Sequence, residues 1–423
     1  MPAATSRFDP RRFDPRRFDP RRFDPRRFGL AAAAPVMAFV IAVLLSSVVL
    51  LIAGHPPLTA FTDMISYGTQ AESVVNILNK SSGYYLSAVA VAIGFRMSLF
   101  NIGVDGQYRV AAMIAAVIGA AVTLPAPLHV LLIIVVAVVV GAAWAGIAGL
   151  LKVYRGVSEV ISTIMLNYIG GSSLVPWMLT PAVFAVLNNN IVKTPDIPTS
   201  GWFPGITVPG GEIYGFIVIS ALVGVGYWFL LGRTRFGYDL RATGKSEPAA
   251  QASGVDVKRM VLWSMLLSGG VAGLVGLPLL LGATHSYGQD FPSGIGFVGI
   301  GIALLGRNNP IGMAFASLLW AFLDQSNGIL DLDGIPKEIV TIMQGTIVVA
   351  VVVAYEVVRR IGVAGEQVRV AAALGGEASG GTPPDGTGPG GGTAPATAGG
   401  TAPATAGGTA PATAGGASGT GAA

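Results

Sequence analysis

Long apolar runs separated by short polar breaks set the pattern of this 423-residue chain. Ten of them are candidate membrane spans: 30–53, 84–100, 108–124, 128–151, 157–179, 213–231, 260–283, 293–305, 311–323 and 338–358. Runs of this length and apolarity predict helices that cross a bilayer, hence an all-α polytopic membrane protein of about ten transmembrane helices. The eighth and ninth runs have only thirteen residues each. As helices they rise about 20 Å, short of a roughly 30 Å hydrocarbon core, so they should be tilted, extended into loops or buried in the bundle.

The runs lie within a membrane domain at 29–363, and both ends of the chain differ from it. Residues 1–28 repeat the unit Arg-Arg-Phe-Asp-Pro, with nine arginines against four aspartates. A proline every fifth residue forbids a stable helix, so this leader is expected to be extended, either as an electrostatic tether to anionic lipid or as a solvated tail that enforces orientation. Residues 364–423 are mostly Gly, Ala, Pro and Thr, with Thr-Ala-Pro-Ala-Thr-Ala-Gly-Gly repeated three times from Thr393. Such a composition cannot bury enough apolar surface to offset ordering entropy, and a disordered tail is expected.

Charge then orients the bundle. With both termini in the cytoplasm, all but Lys80, Lys193 and Lys337 of the 26 basic residues fall in cytoplasmic loops, tails or their margins, Arg96 and Arg109 among them. Charged residues are 11% of the chain, against roughly 25% in soluble domains, and hydrophobic residues are 52%. The basic balance therefore reflects positive-inside loops and not a nucleic-acid surface. There are no cysteines, and His55, His129 and His285 have no metal-ligand spacing. The external connector at 181–212, rich in Asn, Pro and Gly, carries Trp202 and Phe203 like interfacial anchors. It reads equally as a docking surface or a plain connector.

Four stretches interrupt the apolar pattern with possible chemistry. The island 232–259 is the only long charged stretch between spans and carries six basic residues, Arg241 and Lys245 among them. Ser246 before Glu247, Pro248 and Ala249–Ala252 predicts an N-cap and one short helix, closed by Gly254. Gly244-Lys245-Ser246 imitates the end of a phosphate-binding loop, but Asp239 stands where that loop needs its first glycine, so ATP binding by this chain is not expected. The second stretch, Phe100-Asn101-Ile102-Gly103-Val104-Asp105-Gly106-Gln107, is either a broken helix lining a cavity or a tight cytoplasmic turn. On the fifth span, Glu159, Ser162 or Thr163, and Tyr168 or Asn167 fall at helical spacing and predict a polar stripe, suited to a neutral hydroxylated or heterocyclic solute or to interhelical hydrogen bonds. The last, Gly294 to Gly312 with Phe297, is dense enough in glycine for close backbone approach.

These stretches resemble one family. Arg241-Ala-x-Gly244, Ala249-Ala250 and Gly254-Val255, followed by Ser268-Gly269-Gly270-x-Ala272-Gly273, look like the coupling loop of permeases of ATP-binding-cassette (ABC) importers in the branched-chain amino acid, simple-sugar and nucleoside group. Asn101, Gly103, Asp105, Gly106 and Gln107 match a string similar to that of nucleoside-type permeases, and Glu159 to Ile169 and Gly301 to Gly306 continue the likeness. Ser246-Glu247-Pro248 departs from the Asn-Pro pattern of many relatives. The resemblance implies ATPase coupling through Gly237, Arg241, Gly244, Ala249, Ala250 and Gly254, and a substrate pathway past Asn101, Asp105, Gln107, Asn167, Tyr168 and Phe297. It also implies a second permease subunit (related chain or copy), a cytoplasmic ABC ATPase supplying ATP and Mg, an external substrate-binding lipoprotein, and a place in the bacterial plasma membrane. An ion-coupled secondary transporter and a membrane-embedded transferase are the rival readings. Against the first, Asp105 and Glu159 fall near predicted cytoplasmic helix ends; against the second, Asp331 and Asp333 are a sparse acidic cluster.

Overall fold

Every predicted apolar run contains a helix in the computed structural model, which describes residues 25–188 and 191–379. The chain divides into two compact units, Met1–Gly365 and Glu366–Ala423, and of the second only 366–379 are described. The predicted leader lies outside the described residues up to 24, and 25–28 open the first helix. The predicted tail is helical over 364–379 and otherwise lies outside them.

Helix α1 (Pro25–Ile52) turns by 114° into α2 (Pro57–Gly68). Pro56 and Pro57 force the break, since neither has an amide hydrogen and each disfavours helix in the residue before it. Helix α2 was not predicted. Its buried residues, Ala60, Met64 and Gly68, recur every four positions, a helical stripe too short to register as a span.

Helix α3 (Ala71–Phe95) starts thirteen residues before the predicted second span. Its first half is polar because it is held by other parts of the protein: Lys80 pairs with Asp324 at 2.8 Å, and the Asn79 side chain donates to the Glu212 carbonyl and accepts from the Tyr214 amide. Its second half, 86–94, is wholly buried and forms the centre of the bundle. Around it pack α8 (Phe216–Arg233), α11 (Val257–Gly273), α13 (Ile295–Leu305) and α14 (Pro310–Leu332), while α4 (Val104–Ala121) and α5 (Ala126–Arg155) pack against α11. Where α5 crosses α11, a side chain on Gly141 would strike the Gly269 carbonyl and one on Gly273 the Ala137 carbonyl. Without a hydrophobic force between helices in lipid, backbone approach of this kind supplies the packing.

The fifth span is broken. Helix α6 (Glu159–Tyr168) passes through a π-helical turn (Ile169–Leu174) into α7 (Val175–Met178). Gly170 and Gly171 weaken the helix there, and Pro176 lacks the amide that would bond to residue 172. The connector beyond it corrects the all-α expectation. It folds as two antiparallel hairpins, β1 (Val186–Asn188) with β2 (Ile191–Lys193) and β3 (Ile206–Val208) with β4 (Gly211–Ile213). Trp202 is not a free anchor, because it stacks on His285 at 3.7 Å and donates to the Ile197 carbonyl.

The charged island holds two helices where one was predicted. After α8 (Phe216–Arg233) come α9 (Arg235–Lys245) and α10 (Glu247–Ala252). Helix α11 continues through α12 (Leu277–Leu279) and a π-helical turn (Leu280–Thr284). Segment 285–294, a run of bends and turns with Gly288 bridged to Lys193, then leads to α13 (Ile295–Leu305), followed by α14 (Pro310–Leu332) and α15 (Lys337–Ser379). The ninth run is thus the first part of a 23-residue helix, whereas the eighth is a half-helix of 11 residues, rising about 16 Å. Among the described residues, Ala126–Arg155, Phe216–Arg233, Val257–Thr284 and Lys337–Val358 are each long and apolar enough to cross a membrane, and the bent α1–α2 pair is a fifth candidate.

Candidate solute cavity and coupling elements

Four of the predicted polar residues meet where α3 gives way to α4. Asn101 and Gln107 bind each other through both amide groups, at 3.1 and 2.9 Å. Asn101 also accepts from the Gly103 amide and donates to the Ser268 hydroxyl at 2.8 Å, which itself donates to the Ala90 carbonyl at 2.6 Å. Asn167 reaches across from α6, donating to the Ile102 carbonyl at 2.7 Å and accepting from the Gly106 amide at 2.8 Å. Asp105 accepts from the amides of Gly294 at 2.7 Å and Gly296 at 3.4 Å, so its carboxylate caps the positive end of α13. Gly296 has no room for a side chain, which would overlap the Asp105 backbone. All four side chains are turned to protein partners and hold a broken segment together, as buried backbone groups require.

Tyr168 and Phe297 lie elsewhere, 68% and 51% exposed on the outer surface of the bundle. Nor does the polar stripe of the fifth span act as one surface. Glu159 pairs with Lys152 at 2.6 Å, and Thr163 donates to the Glu159 carbonyl at its own helix start.

One turn along α4 from Asp105, Arg109 borders a cavity of about 280 Å³. Val175, Pro176 and Leu179 form one wall, and Tyr287, Gly288 and Gln289 of the 285–294 segment form the other. Arg109 and Tyr287 line the cavity together, and the Arg109 Nε–H is buried with no partner. Tyr287 is buried and stacks on Phe291 at 4.3 Å. Arg109, predicted at the margin of a cytoplasmic loop, sits in the second turn of α4 beside this cavity. Sequence reasoning also passed over Tyr287 and Gln289. An arginine four residues after an aspartate in an otherwise apolar run was the available signal, because intramembrane charges are costly and mark sites.

The charged island is joined directly to the broken segment. The Ser98 hydroxyl donates to the Gly244 carbonyl at 2.8 Å, and a side chain on Gly244 would meet the Met97 backbone at 2.8 Å. Arg96 donates to the Asn308 carbonyl at 2.8 Å, just past the end of α13. Gly237 lies against the backbone of Leu231 where α9 folds under α8, and Thr234 caps α9 by accepting from the Gly237 amide. Ser246 caps α10 through the Ala249 amide at 3.4 Å, and Gly254 closes it at φ 86°. Ala250 is buried, Ala249 and Gly254 are exposed, and Arg241 is half-buried. Helices α9 and α10 therefore mark one end of the bundle, in contact with the loop that leads to Asn101 and Asp105.

The hairpins mark the opposite end. There Lys193 pairs with Asp196 at 2.7 Å. Burial acts to raise the Asp196 pKa, but hydrogen bonds from Lys193 and Ser286 outweigh it and hold the carboxyl below its ordinary range. Burial pushes the His285 imidazole below its ordinary value, with Asp196 and Glu212 opposing the shift.

Comparison with known proteins finds relatives over most of the chain. The chain is 32% identical over 335 residues to the guanosine ABC transporter permease protein NupP of Bacillus subtilis (strain 168), covering 76% of this chain and 93% of that protein. It is 31% identical over 337 residues to the nucleoside ABC transporter permease protein NupB of Lactococcus lactis subsp. cremoris (strain MG1363), covering 76% and 90%. The glucose ABC transporter permease protein TsgB13 of Haloferax volcanii is 27% identical over 330 residues, covering 75% and 86%. Residues 73–352 match the family described as the branched-chain amino acid transport system / permease component, and the chain belongs to that family.

Proposed function

We propose that this integral membrane protein is the permease subunit of an ABC importer that carries a nucleoside-like solute inward by alternating access. The observation that carries the reading is the direct seating of Gly244 on residues 96–98, which ties α9 and α10 to the broken segment beside the Arg109 cavity. In this reading the α9–α10 end faces the cytoplasm, the termini lie on the same side, and the chain makes about ten spans in the bacterial plasma membrane. A separate ATPase, holding ATP and Mg, grips Gly237, Arg241, Gly244, Ala249, Ala250 and Gly254. An external binding lipoprotein docks on the hairpin end, and a second permease subunit completes the pathway. The exposed Tyr168 and Phe297 belong to the pathway surface, with Asn101, Asp105, Gln107 and Asn167 as the scaffold beneath.

Uptake separates nucleoside from sugar. Cells with and without this chain are given labelled inosine, adenosine, cytidine, glucose and ribose. Chain-dependent accumulation of a nucleoside is expected, abolished when the ATPase is removed. Chain-dependent accumulation of a sugar alone would replace the nucleoside reading. Uptake that survives loss of the ATPase but collapses with an uncoupler would favour ion coupling.

A further inference from the structure

The structure assigns Thr194 as a positioning residue: it fixes the wall of the Arg109 cavity to the external connector, and through it a docked binding protein sets the place of that wall. This rests on the reading above, in which the cavity receives solute and the hairpin end receives the binding protein. Thr194 directly follows β2 and is fully buried. Its amide donates to the Tyr287 carbonyl at 2.8 Å, and its hydroxyl accepts from the Tyr287 amide at 2.9 Å. One residue thus holds both backbone groups of another, and that other lines the cavity beside Arg109.

The neighbouring bonds make this junction a short antiparallel seam. Lys193 is bridged to Gly288, which also lines the cavity, and the Ile197 amide donates to the His285 carbonyl at 2.8 Å. The far part of the connector is tied to the bundle instead. Ser200 lies 2.8 Å from Nδ1 of the buried His129, whose other ring nitrogen is 2.9 Å from the Gly119 carbonyl. The Phe203 amide donates to the Leu281 carbonyl at 3.1 Å. Residues 193 and 194 are therefore the point at which the β1–β2 hairpin meets the cavity wall. A seam made of backbone bonds alone would offer the Tyr287 amide a carbonyl; here a side chain accepts, so one substitution removes the bond and leaves the course of the chain unchanged. A buried amide deprived of its acceptor costs free energy that the wall recovers only by moving.

The test compares full importers carrying the wild-type chain, Thr194→Val or Thr194→Ser, given whichever of labelled inosine, adenosine, cytidine, glucose and ribose the wild type accumulates. Uptake into reconstituted vesicles is measured against binding-protein concentration and normalised to the amount of chain present. Valine keeps the shape and the amide bond but loses the hydroxyl, whereas serine keeps both bonds. Thr194→Val should lower the maximal rate by about fivefold or more, the equivalent of the roughly 1 kcal/mol lower bound for orphaning a buried amide. The half-saturating binding-protein concentration should not change, and Thr194→Ser should restore most of the rate. An unchanged maximal rate, a serine variant as slow as the valine variant, or a change confined to the half-saturating concentration overturns the assignment. If Thr194→Val fails to reach the membrane, hydrogen exchange in the wild-type importer decides: docking of the solute-loaded binding protein should alter exchange at residues 285–288, and equal exchange with and without it overturns the inference. Wild-type uptake that needs no binding protein, or no uptake of any of the five solutes, would instead sink the broader reading and this assignment with it.

Discussion

Asn167 spends both halves of one amide on the backbone of α4 and the turn before it, and this makes it the chief point of weakness at the residue scale. Asn167→Ala would leave the Ile102 carbonyl and the Gly106 amide without protein partners. Each orphaned buried group costs about 1–3 kcal/mol, so a loss of about 2–4 kcal/mol is expected after partial relaxation. Thermal unfolding of the detergent-purified chain measures it, and an unchanged midpoint would show that the clamp contributes nothing. Asp105 differs in kind, since it acts on a helix end. Asp105→Asn keeps an acceptor for Gly294 but loses the charge, which should cost about 0.3–2 kcal/mol. The residue types at these positions were legible in sequence because amides and a carboxylate stand out in an apolar run. Their partners were not: Asn167 and Ile102 are far apart in the chain, and no local pattern encodes a contact between two spans.

Helices α9, α10 and α13 are the elements on which transport should depend. Arg241→Glu reverses a charge on α9 without disturbing the packing of Gly237 or Gly244. It is expected to abolish uptake while the protein still reaches the membrane, as membrane fractionation beside an uptake assay would record. Normal uptake would count heavily against the coupling assignment. On α13, Gly296→Val would drive a branched side chain into the Asp105 backbone and push the half-helix from α4. Uptake should then be lost, and the cost should exceed the 1–3 kcal/mol typical of overpacking because backbone has to move. The same substitution at Gly345, which meets no neighbour, should leave uptake within about twofold.

For the whole molecule, the hairpin end carries a pH dependence. Burial holds His285 below its ordinary pKa, so the fold favours the neutral ring, and that stability is present above about pH 6.5 and lost as pH falls below it. The depressed Asp196 carboxyl also stabilises above its unfolded pKa of about 3.9, and that share is lost as pH falls through the folded value. Both losses run in the acidic direction, the histidine first. Melting temperature between about pH 7.5 and pH 5 should therefore fall, and His285→Phe, which keeps a ring against Trp202, should flatten the decline. A decline of equal slope in the variant would remove His285 from the account.

The sequence by itself determined the membrane class, a helix within each of the ten apolar runs, the caps of α10 and the family likeness. Those follow from hydropathy, spacing and capping chemistry, which are local properties of the chain. Only the tertiary structure decided that Arg109 borders a cavity, that Asp105 caps a half-helix nearly two hundred residues away, and that the connector forms hairpins pinned by α3. Each of these depends on which distant segments pair. That choice is made by the summed burial of apolar surface and the satisfaction of backbone groups across the entire bundle, and no window of neighbouring residues contains it.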